Sequence, residues 1–170
     1  SFFGIGSSTS VVGDEHPLLS HLEINLVSRY FETTQSSLDA GINWNALANL
    51  LAGSSHTHFA CHGDYFPNEP LNSCLYHSEL IRTTVAEIAS GPRLDGSRLV
   101  VLSACRTALT DISQLPEECR GLPAAFLEAG TAGVIGTLWR VDDIATATLM
   151  TKFYELHIES GLAPARALGL

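Results

Sequence analysis

Two apolar runs in this chain stop at residues able to do nucleophilic chemistry. Thr57-His58-Phe59-Ala60-Cys61 runs straight into His62-Gly63-Asp64, and Arg98-Leu99-Val100-Val101-Leu102-Ser103-Ala104 runs straight into Cys105-Arg106-Thr107. An imidazole ends the first run and a thiol ends the second. Only the thiolate is a good nucleophile, and an unperturbed thiol has a pKa near ~8.5. A neighbouring His can take its proton and later deliver it to the leaving amine. Backbone N–H groups just past a strand end are suited to hold an oxyanion. Gly63 brings its N–H close to a substrate because no side chain intervenes, and the Cys105 N–H is the second donor. The crevice beyond the carboxyl ends of parallel strands is where ligands bind. The residues therefore predict a cysteine hydrolase, expected to be a peptidase, with His62 as base and Cys105 as nucleophile.

Other side chains carry competing readings. His58 stands four residues before His62, which on a strand separates the rings by roughly 13 Å. That is too far to share a zinc ion, and no other cluster supplies the three or four ligands zinc takes. His58 reads as a core or supporting histidine, and neither a metal nor a cofactor is expected. Cys61 lies inside its apolar strand as a small buried hydrophobe. Asp64 either orients the base, lines a pocket or is a solvated loop acid. Asp142 and Asp143 open a helix, where acidic groups suit the dipole. Gly4-Ile5-Gly6-Ser7-Ser8-Thr9 lacks the third glycine of a dinucleotide fingerprint and reads as a turn.

The elements that must position the pair follow from periodicity. Phe2 to Ile5 reads as a short strand. Pro17 to Phe31 reads as a helix with Leu19, Leu22, Leu26 and Tyr30 on one face. Thr33 to Leu38 is weakly strand-like. Asn43 to Leu51 is a helix with Trp44, Leu47, Ala48 and Leu51 at i, i+3, i+4 and i+7, ended by Gly53. After the His62 strand, Gly63 to Leu71 reads as a loop and Asn72 to His77 as part of a hairpin. Thr84-Val85-Ala86-Glu87 is a capping box opening a short helix that stops at Gly91-Pro92. Beyond the Cys105 strand come a polar loop to Glu117 and a helix over Glu118 to Ala129. A buried strand over Gly133 to Leu138 and a long helix over Asp142 to Ser160 complete the order. The inner face of that last helix is expected to carry Ala145, Leu149, Phe153 and Leu156. Short, almost uncharged strands alternating with helices predict an α/β sandwich around a mostly parallel sheet.

Bulk composition narrows the function classes. The 170 residues suit a single domain spanning 1–170. They are 45% hydrophobic and 16% charged, as in a globular protein. A net charge of −9 with a single lysine, Lys152, leaves no basic cluster for phosphate contacts, so direct nucleic-acid binding is not expected. No apolar run approaches the ~18 residues of a membrane span. Four cysteines without CxxC spacing and without a secretion signal point to a reduced, cytoplasmic setting. The missing initiator Met and the helix-like end at Pro164–Leu170 read as a fragment of a longer protein.

Four blocks in order carry a family resemblance. They are His58-Phe59-Ala60-Cys61-His62-Gly63, Leu99-Val100-Val101-Leu102-Ser103-Ala104-Cys105, Gly121 through Gly130, and Gly133 through Asp143. The sequence resembles the CHAT domain, a caspase- and separase-like group of clan CD cysteine peptidases often attached to tetratricopeptide repeats. The caspase signature also sets Ala-Cys after an apolar strand with its His roughly 50 residues upstream, and here the spacing is 43. The resemblance implies a caspase-like three-layer α/β sandwich and a cysteine endopeptidase acting on a protein or peptide substrate. It implies His62 as base, Cys105 as nucleophile, and the Gly63 and Cys105 amides as oxyanion donors. It also implies regulation by a region such as tetratricopeptide repeats outside 1–170. Related separases carry acidic residues after a Trp, which implies a pocket role for Asp142 and Asp143 toward a basic side chain. The rival expectation is a non-catalytic regulatory or interaction domain on the same fold.

Overall fold

The computed structural model describes residues 1–7, 17–38, 41–78, 81–103, 121–138 and 141–170. Five strands form the main sheet: β1 (Phe2–Gly6), β2 (Thr34–Leu38), β3 (His56–Ala60), β7 (Leu99–Leu102) and β8 (Val134–Gly136). Their order is β2-β1-β3-β7-β8, and every pairing is parallel. A second sheet is antiparallel, with order β4 (His62–Asp64), β5 (Cys74–Tyr76) and β6 (Arg82–Thr84).

Helices cover both faces of the main sheet, as the uncharged strands require. On one face lie α2 (Trp44–Leu51), α3 (Val85–Ser90) and α4 (Leu122–Glu128), packed with Phe3, Ile5, Phe59, Val100 and Leu102. On the other lie α1 (Pro17–Ser28), α5 (Asp143–Tyr154) and α6 (Pro164–Leu168), packed with Phe2, Leu99 and Val101. A π-helical turn over Glu155–Glu159 links α5 to the last segment. This is the α/β sandwich expected from the residue pattern. Among the described residues no helix is long and apolar enough to cross a membrane.

Local sequence explains several boundaries. Asn43 caps α2 by accepting from the Ala46 amide at 3.1 Å. Thr84 and Glu87 form the expected reciprocal capping box at the start of α3. Gly130 follows α4 with φ +110°, and a Cβ there would meet Asp95 Oδ1 at 2.5 Å, so only glycine suits both backbone and neighbour.

Three expectations need correction. His62–Asp64 is a strand paired with β5, where a loop was expected from Gly63 onward. The helix expected over Asp142 to Ser160 is α-helical to Tyr154 and runs on as the π-helical turn to Glu159, but the buried face of α5 is Thr146, Ala147, Met150, Phe153 and Tyr154, while Ala145 and Leu149 are exposed. Apolar residues occur all round this helix, so periodicity alone did not select the face. In α1 the buried residues are Glu23, Ile24 and Val27, and Leu22 is exposed. A carboxylate was not expected inside, but Glu23 is paired there with His58.

Candidate active site

β3 and β7 are hydrogen-bonded neighbours running the same way, with Phe59 opposite Leu102. Their carboxyl ends therefore open on the same edge of the sheet. The ladder continues one step further: the Ser103 amide donates to the Phe59 carbonyl at 2.8 Å. β8 lies on the far side of β7, with Gly136 opposite Leu102, so three strand ends border this edge.

Beyond Ala60 the chain passes through Cys61 and starts β4 at His62. His62 and Gly63 are half-buried and Asp64 is exposed. In the β4–β5–β6 register, His62 sits opposite Tyr76 and Tyr76 opposite Arg82. Directly paired residues of an antiparallel sheet, and residues two apart on a strand, share a face. His62, Asp64, Cys74, Tyr76 and Arg82 thus share one face, and Leu75 and Thr83 occupy the other, fully buried.

Asp64 does not stand as a free loop acid. Its Oδ2 accepts a hydrogen bond from the Tyr76 hydroxyl at 2.8 Å. Burial, then bonds to Cys74 and Asp64, push the Tyr76 phenol well above its usual range, so it stays a donor. Arg82 stands beside the same phenol, whose hydrogen bond helps hold the guanidinium charged. Sequence reasoning left Tyr76 and Arg82 without a role. The signal that reveals them is the two-residue alternation of the hairpin, once β4 is recognised as its third strand.

The thiols separate by environment. Cys61 and Cys74 are buried and in no disulfide. Burial pushes the Cys61 thiol far up, and burial also raises Cys74. Neither can supply thiolate near neutral pH. Cys105 lies outside the described residues, three positions after the end of β7. Cys119 also lies outside them, as does Trp139.

Asp142 caps α5, its Oδ1 accepting from the Ala145 amide at 2.9 Å. Asp143 lies in the first turn of the same helix, and both are exposed. The dipole reading of these acids therefore has a structural counterpart. His58 is wholly buried on the α1/α5 side of β3, with Nε2 2.8 Å from Glu23 Oε1 and Nδ1 3.2 Å from the Tyr154 hydroxyl. It is a core histidine tying two helices to the strand that leads to His62. Among the described residues no group of three or more His, Cys, Asp or Glu side chains is arranged to hold a metal.

The comparisons with known proteins agree with this architecture. A family model described as the CHAT domain matches residues 16–169. Among solved structures, the crystal structure of the Arg-specific cysteine proteinase gingipain R (RGPB) superimposes with a TM-score of 0.60 at 12% identity. That match covers 94% of this chain and 36% of the gingipain chain, and it establishes a shared fold. No curated protein sequence matches the chain.

Proposed function

The chain belongs to the CHAT-domain family, and on that premise we propose that it is a cysteine endopeptidase working through His62 and Cys105. The observation that carries the reading is the adjacency of the β3 and β7 carboxyl ends, with β4 opening at His62 immediately beyond. Covalent continuity brings Cys105 into the chain two residues after Ser103, whose amide is bonded to β3. The inert environments of Cys61 and Cys74 also favour Cys105 as the nucleophile.

In the proposed reaction, His62 takes the proton of the Cys105 thiol. The sulfur attacks the scissile carbonyl carbon, and the carbonyl electron pair moves onto oxygen. The Gly63 and Cys105 N–H groups hold that oxyanion. Collapse of the intermediate breaks the C–N bond, and His62 gives its proton to the leaving amine. Water then attacks the thioester with His62 as base, which releases the carboxylate product and restores the thiol. No group outside the chain is needed for the electron balance. Asp142 and Asp143 supply negative charge for a basic substrate side chain, and Asp64 with Tyr76 borders the His62 side of the cleft.

The test is hydrolysis of a fluorogenic peptide library by the wild-type chain and by Cys105→Ala. Loss of about 10³-fold or more in kcat/KM, with an unchanged melting temperature, is the expected result. Retained cleavage in the variant would refute the assignment. Absence of turnover by the wild type across the library would make the domain an interaction scaffold.

A further inference from the structure

The three-stranded sheet sets a row of side chains beside the His62 imidazole. His62 stands opposite Tyr76 in the register, and Tyr76 opposite Arg82. Directly paired residues project from one face, so the three share it. The opposite face carries Leu75 and Thr83, both fully buried. The row therefore lies on the open face, with His62 and Tyr76 half-buried and Arg82 exposed. Two strand spacings separate its ends, which puts the backbones of His62 and Arg82 roughly 10 Å apart.

The hydrogen bonds along this row have a direction. Tyr76 donates its hydroxyl hydrogen to Asp64 Oδ2 at 2.8 Å. Toward Arg82 the phenol oxygen is then an acceptor, and the guanidinium donates to it. Cys74, buried on the same face, takes a second contact from the guanidinium. A guanidinium carries five N–H donors in a rigid fork, so donors remain at its exposed end. Among the described residues no carboxylate pairs with Arg82, whereas Arg93 is held by Asp95 at 2.9 Å and Lys152 by Glu155.

We propose that Arg82 is a specificity-determining residue that binds a substrate carboxylate, the side chain of an Asp or Glu two or three residues beyond the cleaved bond on the leaving-group side. The inference rests on the peptidase reading of His62. That imidazole gives its proton to the leaving amine, so the substrate segment beside it is the one that begins at this amine. An extended segment advances ~3.3 Å per residue, which matches the span from His62 to Arg82 to about three residues. The free edge of the guanidinium takes a carboxylate through two parallel hydrogen bonds. With Asp142 and Asp143 facing a basic side chain, Arg82 gives the cleft opposite charges at two places. A substrate of mixed charge is favoured over a uniformly basic one.

The experiment uses internally quenched peptides with Arg before the cleaved bond and Glu or Gln at the first, second or third position after it. The full chain should prefer Glu about fivefold in kcat/KM at the second or third position, through KM. Arg82→Gln should lose that preference and cleave the Gln peptide as the wild type does, with a melting temperature near wild type. Arg82→Glu should favour Lys at the same position, a reversal that loss of a structural contact would not produce. Equal cleavage of Glu and Gln peptides by the wild type, or a Glu preference that survives in Arg82→Gln, would overturn the subsite and leave the peptidase assignment standing. Absence of turnover with every peptide would instead overturn the peptidase reading. Fluorescence anisotropy of the same peptides, labelled, on the Cys105→Ala chain then decides the carboxylate site alone. Tighter binding of the Glu peptide that Arg82→Gln removes would support it, and equal binding of Glu and Gln peptides would overturn it.

Discussion

The Ser103 amide donates to the Phe59 carbonyl at 2.8 Å, extending the β3–β7 ladder past Leu102. This bond fixes where the two central strands end relative to one another. It sets the stretch leading to Cys105 and the stretch leading to His62 on one edge of the sheet. The chemistry proposed for the domain depends on that coincidence more than on any other feature.

The Tyr76–Asp64 bond predicts a split between stability and turnover. Tyr76→Phe removes the donor to Asp64 and should cost about 1 kcal/mol in denaturant unfolding. If Asp64 and Tyr76 border the substrate, kcat/KM should fall further than this loss of folding explains. Asp64→Asn alone, which still accepts from the phenol, should keep stability near wild type. An unchanged kcat/KM in Tyr76→Phe would make the bond purely a fastening of β4 to β5.

His58 predicts the most destabilising substitution on the α1/α5 face. It is the partner of the buried Glu23 carboxylate and of the buried Tyr154 hydroxyl. His58→Ala strands a buried charge, which typically costs about 3–5 kcal/mol. Glu23→Gln together with His58→Ala should be less destabilising than additivity predicts, as a double-mutant cycle in urea would show. Strict additivity would mean that the pair is not coupled.

Stability should fall with acid in a defined window. His56 and His77 are both lowered from 6.5 to about 4, chiefly by burial. The unfolded chain therefore binds more protons than the folded chain between those values. The stabilisation is complete above pH 6.5 and is lost as pH drops toward 4, amounting to at most about 3 kcal/mol per ring. Urea unfolding at pH 7.5, 6, 5 and 4.5 tests this. His77→Asn should flatten the slope, and an unaltered slope would assign the acid sensitivity elsewhere.

Asp142 has two possible duties that one pair of variants separates. Asp142→Ala removes the cap on the Ala145 amide and should cost about 1 kcal/mol. Asp142→Asn keeps the cap while removing the charge, so its stability should stay near wild type. A pocket role predicts that both variants lose preference for basic side chains at the cleaved bond. Unchanged preference in both would leave Asp142 a helix cap alone.

Much of this fold was legible because its strands are buried on both faces. The runs ending at His62 and Cys105 carry almost no charge, and the capping box at Thr84 marks a helix start by itself. The α5 face was not legible, because Ala145, Ala147, Leu149 and Met150 give apolar residues in every direction. The inward Glu23 was hidden for a different reason. Its partner His58 is 35 residues away, and only the packing of α1 on β3 brings them together. For the candidate site, the sequence singled out His62, Gly63 and Asp64, but not the pairing of Asp64 with Tyr76. That pairing needs the β4–β5 register, which three short residues of strand do not announce. Cys105, with the nucleophile and oxyanion roles expected of it, falls outside the described residues.

The most direct test of the central claim is the pH dependence of Cys105 alkylation, read by peptide mass mapping so that Cys61 and Cys74 serve as silent internal controls. Wild-type Cys105 should react well below pH 8 and lose that reactivity in His62→Ala. A Cys105 that reacts only as an ordinary thiol, with the same profile in His62→Ala, would contradict the dyad.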